Sequence, residues 1–260
     1  MFGLPDTYTI KARIYPALLA VLPGLALAAV MVSWRQLGVS HMIATAAAMV
    51  LLYAFSDLAR RLGKRLENGL FRKMGGKPST TMLRHRDERF DEGAKAIWCH
   101  FVGGRIKEKP PTEEAESIDP GPADAFYQRC GDWLREHTRD HKKFKLIFEE
   151  LVTYGFRRNL LGLKWPGLGL NALVVLVCIV ALWFRLPFSA DDDVSIRLVY
   201  VLIVAAGHAL YFLLAVNEKA AMEAADQYGR QLLLGCETLM TPTTPRARKT
   251  AGKAEIEVTT

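Results

Sequence analysis

Apolar and polar positions divide this chain into blocks. Four apolar segments, Ile14–Ser33, Gly38–Phe55, Gly167–Phe184 and Ile196–Val216, stand as two pairs around a charged middle. Each holds few or no charges and is long enough, at about 1.5 Å rise per residue, to cross a hydrocarbon core about 30 Å thick. The pattern predicts an all-α membrane protein with four transmembrane helices in two hairpins. A mainly α-helical domain hangs between the hairpins.

The blocks set the expected domains: 1–56 hairpin, 57–165 soluble sensing domain, 166–216 second hairpin, 217–240 helix, 241–260 disordered tail. Lys11 and Arg13 before an apolar run, with Ala26, Ala28 and Ala29 within it, could pass for a signal peptide. The run is too long for one and a second segment follows at once, so a retained helix is expected.

Helical periodicity continues past the second segment, with Leu58, Leu62, Leu66 and Leu70 four apart. Gly75–Gly76 should end that helix. Helices are predicted over Thr81–Phe101, Ala123–Thr138, Phe144–Tyr154 and Asn217–Met240. Gly155 could end or bend the third of these. Gly103–Pro122, rich in Pro and Glu, reads as a loop. Phe126, Tyr127, Cys130, Trp133 and Leu134 form one inward stripe, and Phe144, Ile147, Phe148 and Leu151 another. Pro23 should kink the first span.

Charge adds orientation. The net formal charge is +7, from 34 Lys and Arg against 27 Asp and Glu. Ten of the basic residues and four acids fall between Asp57 and Phe90. Basic residues flank the middle domain and the tail, while Asp191–Asp193 lie in the link between spans three and four. The positive-inside rule then places both termini and the middle domain in the cytoplasm. A reducing compartment agrees with four cysteines lacking any CxxC pair, read as free thiols filling space. No metal or cofactor is expected.

A concentrated basic field attracts polyanions. For Arg60–Arg65, next to the membrane, contact with lipid is the simpler reading. Lys77, Arg84 and Arg86 lie farther along and suit phosphates. Gly75–Thr80 lacks P-loop spacing, and Pro78 removes an N–H such a cradle would use, so an anion-contact turn and a plain turn both stand. Tyr154, Arg157, Arg158 and Asn159 interleave an aromatic with cations, which suits single-stranded nucleic acid or a juxtamembrane anchor. Within the spans, His41, Thr45, Asn171 and His208 either line a watered path or bond one helix to another. His41, Asn171 and His208 are the pore candidates. No GxSxG, HExxH or intramembrane acid pair occurs, so an enzyme is not expected.

Four motifs run together: Lys11–Ala12–Arg13–Ile14–Tyr15–Pro16, Gly75–Gly76–Lys77–Pro78–Ser79–Thr80, Leu83–Arg84–His85–Arg86–Asp87 and Tyr154–Gly155–Phe156–Arg157–Arg158–Asn159. In this combination the chain, up to about residue 240, resembles a widespread family of bacterial four-span proteins. Through that family it is similar to the membrane effector of the Hailong anti-phage defence system. The resemblance implies a homo-oligomeric ion channel. By that resemblance, short DNA oligomers from a partner nucleotidyltransferase would bind its cytoplasmic domain and hold it shut, and their loss would depolarise and kill the cell. The size of one protomer favours a pore between copies, four by cyclic symmetry. The first rival reading is a membrane-anchored scaffold or receptor that recruits a partner and has no pore; the second is a membrane enzyme acting on lipid or a phosphorylated substrate near Arg60–Lys77, which the lack of catalytic residues disfavours.

Overall fold

The computed structural model describes residues 6–31, 39–186 and 193–241, and every regular element among them is helical. α1 (Thr7–Thr9), a π-helical turn (Ile10–Ile14) and α2 (Tyr15–Met31) run on as one helix. α3 (Val39–Lys73) returns beside it. α4 (Pro78–Thr81), α5 (Glu92–Ile106), α6 (Glu113–Ile118) and α7 (Pro120–His137) form the charged domain. α8 (Lys145–Gly162) leads into α9 (Lys164–Trp183), and α10 (Asp193–Leu214) into α11 (Glu218–Met240).

Among the described residues, three helices are long and apolar enough to cross a membrane: Thr7–Met31, Lys164–Trp183 and Asp193–Leu214. They make a membrane-associated helical protein plausible. The other expected span, Gly38–Phe55, corresponds to the first half of α3, where Gly38 and the side chains of Val39–His41 and Ala44 lie outside the described residues. Met42, Ile43, Met49 and Val50 on this half are exposed. α9 carries exposed tryptophans at both ends, Trp165 and Trp183. Their 18-residue separation is about 27 Å of helix, close to a bilayer core flanked by aromatic belts.

Prolines shape the first helix. Pro16 has no N–H, so the Ala12 carbonyl loses its α-helical partner. The π-helical turn falls here, and the Asn159 amide from α8 donates to Ala12 O at 2.6 Å. Pro23 frees the Leu19 carbonyl in the same way. His208 faces that carbonyl from α10, although neither ring nitrogen reaches hydrogen-bonding geometry.

α3 ends as the Gly–Gly pair predicts. Gly75 adopts φ +74°, Gly76 N–H donates to Phe71 O at 2.8 Å and Gly75 N–H to Arg72 O at 3.2 Å, a Schellman closure. Helix α8 passes straight through Gly155, because the missing side chain is where Tyr8 and Ala12 pack. Lower on α8, Gly162 crosses α3 at Gly63: a Cβ on Gly162 would stand 2.6 Å from Gly63 N. Backbones meet there without side chains between them.

Two predicted boundaries move. The helix expected over 81–101 begins only at Glu92. The preceding turn is held by buried Lys95, whose Nζ donates to the carbonyls of Arg84 (2.9 Å), His85 (3.0 Å) and Asp87 (2.7 Å). The expected loop over 103–122 contains α6 and the start of α7. Thr112 and Asp119 cap these helices through their side chains, and Pro120 occupies the first position of α7, where its lost N–H costs nothing.

The core of the charged domain gathers Met82, Trp98, Val102, Phe126, Tyr127 and Leu134 with Leu232 and Leu233 of α11. The predicted stripe on α7 is buried except for half-buried Trp133. All four cysteines are buried and free, and burial pushes the Cys99 and Cys236 thiols up to about 12. Residues 242–260, expected to be disordered, lie outside the described residues.

Candidate functional site: a basic, aromatic cavity at the helix junction

A cavity of about 520 Å³ opens where the charged domain meets the long helices. Tyr8 and Arg13 reach it from the first helix, Arg60, Lys64, Glu67 and Phe71 from α3, and Tyr154 and Arg158 from α8. Tyr228 of α11, Arg135 of α7 and the Lys77–Ser79 turn complete it. Six cations thus face one carboxylate. Each helix that runs on into an apolar segment contributes a wall: α1 with its π-helical turn, α3, α8 through α9, and α11 from α10.

The aromatics are ordered. Tyr154 and Tyr228 lie parallel within 2°, their centroids 6.3 Å apart, and Phe71 stacks on Tyr154 at 6.3 Å. The Arg158 guanidinium sits 5.3 Å over the Tyr154 ring, and Arg13 5.7 Å over Tyr8. Packing of α11 on the turn brings Tyr228 to its place: a Cβ on the adjacent Gly229 would meet Pro78 Cβ at 2.7 Å.

Glu67 organises the cations. Its Oε2 accepts from Lys64 Nζ at 2.6 Å, and Oε1 accepts from the Tyr154 hydroxyl at 3.1 Å and lies 3.3 Å from Arg158 Nη1. Burial raises its pKa, but Lys64, Arg158 and the Tyr154 hydroxyl outweigh burial and hold the carboxyl below its ordinary value. Lys77 shifts down, through burial first and then the Arg135 charge. An anion in the cavity would relieve that repulsion.

The sequence-predicted residues divide. Lys77, Tyr154 and Arg158 meet in the cavity. Asn159 sits behind it, bonded to Ala12 O, and Arg157 does not line it. Arg84 is turned inward to Asp124 in a bidentate pair, both bonds 2.7 Å, and donates to Gly75 O at 3.0 Å. Arg86 is exposed outside the cavity. The backbone of the Gly–Lys–Pro turn offers an anion little, because the amides of Thr80 and Thr81 donate to Lys77 O; the side chain of Lys77 is its contribution. Tyr8, Glu67, Phe71, Arg135 and Tyr228 carry no signal in the sequence that joins them, since they lie on four separate helices, α1, α3, α7 and α11, that only the fold assembles. By sequence, Arg60 and Lys64 read as lipid contacts beside the membrane, and Arg13 as a charge ahead of the first apolar run.

Two of the three pore candidates, Asn171 and His208, fall inside the protomer. The Asn171 amide donates to Ala205 O of α10 at 3.1 Å, so this residue ties two spans together. His208 is buried against Phe212, with ring centroids 4.3 Å apart. The side chain of His41 lies outside the described residues. Thr45, on the same helix, is exposed.

No family model, no curated protein and no solved structure matches the chain.

Proposed function

We propose that this chain is one protomer of a homo-oligomeric, most simply tetrameric, ion channel. A short single-stranded DNA or similar oligonucleotide, bound in the basic aromatic cavity, holds the channel closed. The observation that carries the reading is the cavity's position and chemistry together. Its rings suit stacking on bases and its six cations suit phosphates. Its walls are the helices that continue into the apolar segments, so an occupant bridges them and biases their arrangement. Loss of the occupant frees these helices to shift, and the pore opens between protomers, depolarising and killing the cell. No catalytic step is part of this reading.

In the same reading Gly38–Phe55 is a fourth span. Tyr15, Tyr53, Trp165 and Tyr211 then form one interfacial belt, each exposed at the end of its apolar segment nearest the charged residues. Both termini and the charged domain lie in the cytoplasm of a bacterial inner membrane. The resemblance to the Hailong effector supports a role in anti-phage defence beside a nucleotidyltransferase that supplies the oligonucleotide.

Binding of short fluorescent single-stranded DNA to the full chain in nanodiscs tests the site. Lys77→Glu and Tyr228→Ala should each weaken binding by about tenfold or more, given about 1–3 kcal/mol per stacked base. Arg86→Glu, outside the cavity, should not. Equal effects of all three, or none, would refute the assignment.

A further inference from the structure

A second concavity, about 660 Å³, lies apart from the cavity on the outer side of α3, where α3 meets the start of α9. Leu62, Leu66, Leu70, Leu161, Trp165 and Pro166 give it an apolar lining. Three cations, Arg65, Lys73 and Lys164, stand along it against one carboxylate, Glu218. We infer that this groove is a binding site for an anionic phospholipid, its acyl chain along the leucines and its headgroup phosphate among the three cations.

Level, charge and shape point to that occupant. The groove reaches the first residues of Lys164–Trp183, a helix able to span the bilayer, so it opens at headgroup depth. Trp165, exposed at 74%, stands where interfacial indoles sit. Basic pockets beside spans suit anionic headgroups. The cations retain donors for a phosphate. Arg65 is exposed and lines the groove. Lys164 Nζ donates to Val216 O at 2.7 Å and, more weakly, to Leu213 O at 3.4 Å, which leaves part of its donor capacity. Lys73 pairs with Glu218 at the rim. Half-exposed Leu66 and the bare backbone of Gly69, where an added Cβ would touch nothing within 4 Å, leave room along the groove for a chain. A lipid seated here touches α3, α9 and the first residue of α11, and would couple membrane composition to the packing of these helices.

The test is quenching of Trp165 by lipids brominated in the acyl chain. The full-length protein is placed in phosphatidylcholine nanodiscs doped with brominated phosphatidylglycerol or brominated phosphatidylcholine, and Trp165→Phe isolates that indole's share. The site predicts half-quenching at about fivefold less phosphatidylglycerol than phosphatidylcholine, the size of about one favourable cation–headgroup contact. Arg65→Gln should abolish the preference. Gly69→Leu, which fills the groove without removing a charge, should reduce quenching by both lipids. Equal quenching by the two lipids in the parent protein would overturn the inference. So would quenching indifferent to Gly69→Leu, or no quenching at all, as expected if a second copy of the chain covers the groove. DNA plays no part in this readout, so its outcome is independent of the proposed ligand of the other cavity.

Discussion

Replacing Glu67 by Gln should push stability and ligand affinity in opposite directions. The substitution keeps shape and removes the only negative charge lining the cavity among the described residues. Glu67 and Arg158 are both largely buried, with side chains 14% and 7% exposed and 3.3 Å between Oε1 and Nη1. Breaking a buried pair by removing one partner costs about 3–5 kcal/mol. Glutamine still offers an oxygen to the Tyr154 hydroxyl, and Lys64, 62% exposed, loses little. A net loss of about 1–3 kcal/mol follows, or a Tm lower by roughly 3–10 °C for a chain of this size. Affinity for an oligonucleotide should rise about tenfold, because a phosphate no longer competes with the carboxylate for Arg158 and Lys64. Thermal unfolding in detergent and fluorescence anisotropy with short single-stranded DNA read the two effects. Acid should act like the substitution. The folded-state pKa of Glu67 is depressed, so its stabilisation is present above the ordinary Glu value and is lost as pH falls through the depressed one. A lower Tm with unchanged or weaker DNA binding would show that Glu67 does not face the ligand and would refute this account of the cavity.

Gly162→Ala should lower Tm, since its Cβ meets the Gly63 backbone at 2.6 Å and overpacking of this kind costs about 1–3 kcal/mol. Gly69→Ala, with nothing near, should leave Tm unchanged or raise it by its helix propensity. Arg84→Gln should destabilise the charged domain by loss of its bidentate pair with Asp124 while DNA affinity stays within about twofold, which anisotropy beside thermal unfolding would resolve. Cys99 and Cys236, buried with thiols pushed up to about 12, should resist maleimide at neutral pH and label only on unfolding, as mass spectrometry of labelled protein would show.

Long-period signals were legible in the chain. Unbroken apolar character over some twenty residues marked four segments, three of which are helices able to span a membrane among the described residues, and the Leu58–Leu70 row marked the extension of α3. The Gly75–Gly76 stop was legible because only glycine takes that backbone conformation easily. Short-range competition was harder to read. The 82–91 turn owes its shape to one buried lysine from a later helix, and the α6–α7 caps outweighed a Pro-rich composition that suggested a loop. The site divided along the same line. Lys77, Tyr154 and Arg158 sat in motifs. Tyr8, Arg135 and Tyr228 carry no local signal, because what joins them is the packing of α11 on the Pro78 turn and of Tyr8 on Gly155. Arg84 and Asn159 looked like ligands by type, yet each satisfies backbone carbonyls within the fold. Asn171 does the same within the spans.

Current through purified protein in a planar bilayer, before and after nuclease and again after adding short single-stranded DNA, tests the central claim most directly. A channel restrained by DNA conducts once nuclease has acted, closes on add-back, and stays open to added DNA when Lys77 and Tyr228 are substituted together. Silence under every condition from a folded oligomer would contradict the channel and favour a membrane-anchored scaffold.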